Sequence, residues 1–253
     1  MRNFKGRLLI GVVIAAFALF KYYNSMETNE YTGKKQAISM TPDQEIQMGL
    51  QSRDQMAAQH GGLYPNQEYQ AFVDRVGNKL VQNSVAKNTP YKYEFHLLAD
   101  KNTINAFALP GGQIFITYAL FSKLENEDQL AGVLGHEIGH VIGRHSAERI
   151  ANSELWQGLS TAGSVGGDMG DVVSQYGMSK LLKNGRGDEL ESDDLGVRFM
   201  LRSGYDPEEM IGVMQILKQA AGPNRVPEFQ STHPDPENRI EKIRESIKKY
   251  SLN

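Results

Sequence analysis

The chain has 253 residues, 40% of them hydrophobic and 23% charged, which fits an ordinary folded domain and excludes disordered, collagen-like and disulfide-stapled classes. A formal net charge of -3, from 27 Lys and Arg against 30 Asp and Glu, speaks against nucleic acid as a partner, because phosphate binding needs clustered cations. There is no cysteine. Thiolate nucleophiles, iron–sulfur clusters, thiolate zinc sites and cysteine lipidation are therefore out, leaving His, Asp and Glu as the strong metal ligands.

In chain order, Arg2, Lys5 and Arg7 precede the uncharged run Leu8 to Phe20, which Lys21, Tyr22 and Tyr23 close. This run is short against the roughly 20 residues of a spanning helix. The tyrosines suit a headgroup belt and Lys21 can snorkel, so the pattern predicts a signal-anchor over residues 1–23. Ala16-Phe17-Ala18 keeps a cleaved signal peptide open as the alternative, and a buried helix of the fold is disfavoured by the lack of any polar face. Either main reading sends the rest of the chain across a membrane.

Residues 24–40 read as a polar tether, and the folded domain is expected over 41–253. Thr41-Pro42-Asp43-Gln44 offers a helix N-cap, a proline at the first helical position and a capping-box Gln, with Gly61-Gly62 as the stop. A second helix is predicted from Asn66, where Tyr69, Phe72, Val73, Val76, Leu80 and Val81 recur at helical spacing. Tyr91, Phe95 and Leu97 alternate with polar residues as in a half-buried strand, and Pro110-Gly111-Gly112 between two apolar runs signals a hairpin. Residues 158–177 are too rich in glycine to predict one long helix.

Residues 126–151 carry the chemistry. Glu127 and Asp128 lie in the first turn, and Leu130, Val133, Leu134, Val141 and Ile142 have core spacing, so a helix is predicted. On it stands His136-Glu137-Ile138-Gly139-His140. Histidines four apart lie on one face about a turn apart and can share a tetrahedral metal ion. Glu137 then lies beside the metal, placed to take a proton from water and pass it to a leaving amine. His145 is about 140° round the helix from His140, which suits packing or support of a ligand better than ligation.

A catalytic zinc site needs a third protein ligand. The best candidate is Glu189, opening a second helical pattern that runs to Gly204, with Asp193 on the same face and able to accept a hydrogen bond from a ligating imidazole. A solvated acidic patch, Asp188 to Asp194, is the alternative. His233, in Thr232-His233-Pro234-Asp235-Pro236, precedes a helix capped by Asp235; as a bare pattern it reads as structural.

The sequence resembles the membrane-associated gluzincin peptidases that include HtpX, BepA, LoiP and the mitochondrial OMA-type protease. The residues that carry the likeness are 32–36, 105–112, 135–141 with Arg144-His145, 189–193 before Gly204-Tyr205-Asp206-Pro207, and His233-Pro234 with Arg239. The family pattern E-x-x-A-D has Ser192 here in place of alanine, which keeps a small residue. The resemblance implies one zinc ion per chain held by His136, His140 and Glu189, with Glu137 as general base. It also implies that His233 lies near the metal, either as a donor to the oxyanion or as a latch on the open position, with Arg239 anchoring that loop or assisting the same charge.

The fold implied is α+β, mainly helical and zincin-like, with a small sheet whose edge lies along the active-site helix. Substrate is expected as an extended strand paired along Gln113 to Tyr118 or along the segment holding Asn105, Ala106, Phe107, Gly111 and Gly112. The expected partners are unfolded or misassembled proteins in a bacterial envelope, with the catalytic domain on the periplasmic side. Residues 158–177 are expected to act as a gate. A chaperone-like assembly factor with weak or gated proteolysis is the alternative function.

Overall fold

The structure, a computed structural model, describes residues 4–220, 233 and 238–251. The chain divides into two compact units, Met1–Thr41 with His145–Gly185, and Pro42–Arg144 with Arg186–Asn253.

In the first unit, helix α1 (Phe4–Asn24) runs antiparallel to α6 (His145–Gly166). Glycines make the contact possible. A β-carbon on Gly11 would lie 2.7 Å from the Ala162 carbonyl oxygen, and one on Gly158 would lie 2.7 Å from the Ala18 β-carbon. Gly158, Ala162 and Gly166 repeat every four residues, so one face of α6 is stripped of side chains and the backbones close together. The 158–177 stretch is accordingly helical to Gly166 and again from Gly170, where α7 (Gly170–Arg202) begins. Its glycines are a packing surface, which glycine content alone does not reveal.

Residues 24–40, expected as a tether, hold a hairpin of β1 (Met26–Thr28) and β2 (Lys35–Ala37). Asn29 Oδ1 accepts from the Tyr31 and Thr32 amides, and Gly33 takes the left-handed conformation with φ 75°. Among the described residues no helix is long and apolar enough to cross a membrane. The expected spanning anchor is therefore not supported.

The second unit surrounds a three-stranded sheet of order β3-β5-β4. Strand β3 (Glu94–Leu98) pairs parallel with β5 (Gln113–Thr117), and β4 (Ala106–Leu109) pairs antiparallel with β5 in the register Ala106↔Ile116 to Leu109↔Gln113. Every residue of β5 is buried, as a central strand requires. Helix α2 (Pro42–Gln59) covers one face, where Ala57 packs with Leu98 and Phe115. Helix α3 (Gln67–Gln82) lies against β3, with the Phe95 ring on Gly77. A single turn, α4 (Tyr118–Phe121), leads to α5 (Glu127–Ile142), which packs on α3, β4, β5 and α8 (Glu209–Ala220). Helix α9 (Arg239–Ser251) closes the described chain.

Two boundaries differ from the sequence reading: the helix expected over 126–151 stops at Ile142 and a new one begins at His145, with Arg144 at φ 56° between them, and the helix of Glu189 starts earlier than expected. Glu189 does not open a helix but lies about five turns inside α7, which carries Gly185 and Gly187 through without a break. The Asp235-Pro236 cap lies outside the described residues. Gly204 does end the helix, with φ 72° and the Tyr205 amide donating to the Met200 carbonyl at 2.9 Å.

Candidate metal centre and active site

Helix α5 presents its histidines from a fixed start. The Asn126 side chain accepts from the Gln129 amide at 2.8 Å, capping the helix, and Glu127 and Asp128 meet its positive end. Gly135 and Gly139 then bring α5 onto α7. A β-carbon on Gly139 would lie 3.0 Å from both the α-carbon and the carbonyl oxygen of Ser192, so these helices meet backbone to backbone. That closeness lets short α7 carboxylates reach the imidazoles of α5.

Four donors converge. His136 Nε2 and His140 Nε2 are 3.0 Å apart, and Glu189 lies 3.2 Å from the first and 3.3 Å from the second. His233 Nδ1 is 3.1 Å from Glu189 Oε1 and 3.4 Å from His136 Nε2. One ligand atom from each of these four residues lies within 4.8 Å of all the others.

Hydrogen bonds on the outer nitrogens fix which lone pairs point inward. His136 Nδ1 donates to Asp193 Oδ1 at 2.8 Å, leaving Nε2 with a lone pair facing the cluster. His233 Nε2 donates to the Ala106 carbonyl at 3.2 Å, so in a neutral ring its Nδ1 also presents a lone pair. Glu189 Oε2 is buried, lies beside His136 Nε2 and makes no hydrogen bond. Lone pairs aimed at one another from buried groups repel unless a positive charge, a proton on an imidazole or a metal ion, sits among them. Two imidazoles and a carboxylate, with a third imidazole opposite, are the donor set that zinc prefers.

Arg239 supports the set from behind. Its Nε lies 2.7 Å from Asp193 Oδ2 and its Nη2 2.9 Å from Asp193 Oδ1, a bidentate pair, and Nη2 lies 3.3 Å from Glu189. Burial opposes ionisation of Asp193, but Arg239 and His136 outweigh it and hold the carboxyl down at about 2. For Glu189 burial is likewise outweighed, by His140, His233 and His136, and the carboxyl is held far below its usual range. Burial would push the His136 imidazole down; Asp193 and Glu189 reverse this and push it up to about 10.

Glu137 differs. It is fully buried, neither carboxylate oxygen has a hydrogen-bond partner, and Oε1 is 3.5 Å from His233 Nε2. Burial raises its pKa, with His233 and His136 opposing. A carboxylate so placed takes up a proton readily.

His145 heads α6, is buried, and lies outside the four-donor group. Asn105 is buried, with its carbonyl accepting from the Thr117 amide. Gly111 and Gly112 occupy the hairpin turn with φ 81° and 108°, packed against the backbones of Ile46 and Lys92. Strand β5 is central and so offers no edge; this corrects the expectation for Gln113 to Tyr118. Strands β3 and β4 are the outer strands, and the far side of β3 is bonded by Gly62 and Tyr64. Because Asn105 bonds inward to β5, alternation turns the backbone groups of Ala106 and Ala108 outward and those of Phe107 inward.

Two features escaped the sequence reading. Val133, Met210, Val213 and Met214 line a small apolar pocket beside His136 and Glu137, and nothing in the α8 sequence marks it apart from ordinary core. Glu45, buried in the first turn of α2, accepts from the Tyr91 hydroxyl and lies 3.2 Å from Arg144 Nε, just past the end of α5. Burial and Glu45 together raise the Tyr91 pKa. The one signal available was Arg144 itself, an arginine close behind the second histidine.

A mainly helical α+β domain with a small sheet beside an H-E-x-x-H helix, and with the third carboxylate on a later helix, is that of a zincin-like metallopeptidase. The family model for Peptidase family M48 matches residues 67–247, and the chain belongs to that family. It is 32% identical over 249 residues to the beta-barrel assembly-enhancing protease of Escherichia coli K12, covering 92% of this chain and 49% of that protein. The Yersinia pestis protein of the same name is 32% identical over 225 residues, covering 84% and 46%. The mitochondrial metalloendopeptidase OMA1 of Schizosaccharomyces pombe is 27% identical over 249 residues, covering 96% and 73%. The chain thus spans about half the length of these bacterial relatives. It is a metalloprotease.

Proposed function

We propose that the chain is a zinc-dependent endopeptidase that cleaves unfolded or misassembled polypeptides in a bacterial envelope. One observation carries this reading: the four-donor cluster abuts the outward backbone of an edge strand through His233 and the Ala106 carbonyl. His136, His140 and Glu189 would hold the ion. When bound, zinc supplies Lewis acidity toward the scissile carbonyl and lowers the cost of ionising a water.

The protein's own groups do the rest. Ala106 and Ala108 pair with an extended substrate segment, which selects chains whose backbone is free and thus favours unfolded over folded proteins. Glu137 takes the proton from water and delivers it to the leaving amine nitrogen, and its apolar surroundings keep that proton from being lost to solvent. Asp193 and Arg239 hold His136 in the ligating tautomer.

His233 is read as a latch. It occupies the Ala106 carbonyl that substrate would use and points Nδ1 at the metal-ligand atoms, so it must leave before a peptide can bind. The bacterial relatives' name ties proteolysis to β-barrel assembly, which supports an envelope role; the same reading includes association with a membrane through the N-terminal unit.

The test is cleavage of casein by the full chain, with metal content measured on the same sample. We expect about one zinc per chain and a loss of at least about 100-fold in Glu137→Gln with zinc retained. Undiminished cleavage by Glu137→Gln would sink the assignment. His233→Ala should raise turnover if His233 is a latch and lower it if it is an oxyanion donor. Binding of unfolded clients without cleavage, unchanged in Glu137→Gln, would favour an assembly factor instead.

A further inference from the structure

The first unit carries an apolar surface that the active-site chemistry does not use. Of α1, Leu8, Leu9, Ile10, Val12, Val13 and Phe17 are each about half exposed or more, around most of the helix circumference. The start of α7 adds Met169, Val172, Tyr176, Met178 and Leu182, all exposed by half or more. Between α1, α6 and α7 lies a cavity of about 650 Å³ lined by Leu8, Val12, Trp156, Leu159, Val172 and Tyr176, among others. Its size is that of a small-molecule site.

Charge is confined to the two ends of this body. Leu8 to Phe20 on α1 and Leu155 to Gly167 on α6 are each thirteen residues without a charged side chain. The antiparallel contacts of Ala18 with Gly158 and of Gly11 with Ala162 place these two bands side by side. At one end Lys21 meets Glu154 at 2.8 Å; at the other Arg7 donates to the carbonyls of Ser164 and Val165, near Asp168 and Asp171. Tyr22 and Tyr23 pack on one another at the Lys21 end, where the Tyr22 hydroxyl bonds to Asn152. Each band is about 20 Å long, too short for a bilayer core of about 30 Å but longer than a single leaflet.

We propose that the first unit docks into one leaflet of a lipid bilayer and that a phospholipid acyl chain occupies the cavity between α1, α6 and α7. This deepens the membrane association proposed above and moves it from α1 alone to all three helices, including the segment that joins the two ligand-bearing helices in sequence. Water would leave the exposed apolar side chains of α1 and the start of α7 poorly solvated, whereas acyl chains solvate them and the end charges can reach headgroups, with the exposed polar face of α6 (Gln157, Thr161 and Ser164) turned to the headgroups or water. An apolar patch this large needs an apolar partner.

The chain supplies its own probe, because Trp156 is its one tryptophan and lines the cavity. The full chain is mixed with vesicles of phosphatidylethanolamine and phosphatidylglycerol, with or without bromine on the acyl carbons. Flotation and Trp156 fluorescence are then read together. We expect the chain to float and the brominated acyl chains to reduce Trp156 emission by at least about half, with Val172→Asp losing most of that quenching. Flotation without quenching overturns the cavity assignment while leaving membrane association through α1 standing. Neither flotation nor quenching removes both. A lipid-free dimer that shields Trp156 from acrylamide and does not float assigns the surface to a second copy of the chain and overturns the proposal.

Discussion

Asp193 touches neither substrate nor the open side of the cluster, yet it sets which nitrogen His136 offers. Asp193→Asn keeps the shape but lets the amide donate as well as accept, so the tautomer is no longer fixed. Metal affinity should fall by about 10- to 100-fold, read by competition with a chelator, and an unchanged affinity would show that Arg239 alone orients the ring. Asp100 gives a prediction in pH. Burial opposes its ionisation, but the Thr103 hydroxyl, the amides of Asn102 and Thr103 and the His60 ring outweigh this and hold the carboxyl at about 2. A carboxyl depressed on folding adds stability that is complete above its unfolded pKa near 3.8 and is lost as pH falls toward 2. Asp100→Asn should therefore be less stable than the parent by about 1–2 kcal/mol at pH 6, with the gap closing by pH 2, as read from urea unfolding.

At the scale of elements, the crossing of α5 and α7 governs the site. Gly139→Val would drive a branched side chain into the Ser192 backbone, and neither helix can yield without moving a ligand. We expect a loss of about 1–3 kcal/mol in stability together with weakened metal binding; a variant that loses stability but holds the metal normally would show that the helices separate away from the ligands. Much of this was legible beforehand. The helix periods, the start at Pro42 and the Gly204 stop are local signals, and the H-E-x-x-H spacing is geometry that one helix imposes alone. What could not be read depends on residues distant in sequence. Which strand is the edge follows from β5 pairing with both β3 and β4, and alternation along 113–117 cannot reveal that. The glycines of 158–177 look like breaks until the small residues of α1 are laid against them. His233 required the Ala106 carbonyl, which lies 127 residues earlier in the chain.

For the molecule as a whole, the second unit gathers one carboxylate and three imidazoles into one buried place, where a bound metal ion would take the position of the proton that His136 otherwise holds. Stripping the metal should lower the unfolding temperature of that unit. With metal at about a thousand times its dissociation constant the stabilisation is about 4 kcal/mol, which for a chain of this size is on the order of 10 °C by calorimetry. An unmoved transition would mean that the cluster carries no ion. The first unit has a different dependence, on time. Its two halves are separated by residues 42–144, so α1 leaves a ribosome more than a hundred residues before the α6 surface that fits it. At about 5–20 residues per second, that interval is on the order of 10 s. Throughout it the face of α1 that meets α6 is bare, and any factor that captures nascent apolar helices has first claim on it. The destination of the chain is thus open to decision before its own fold can compete.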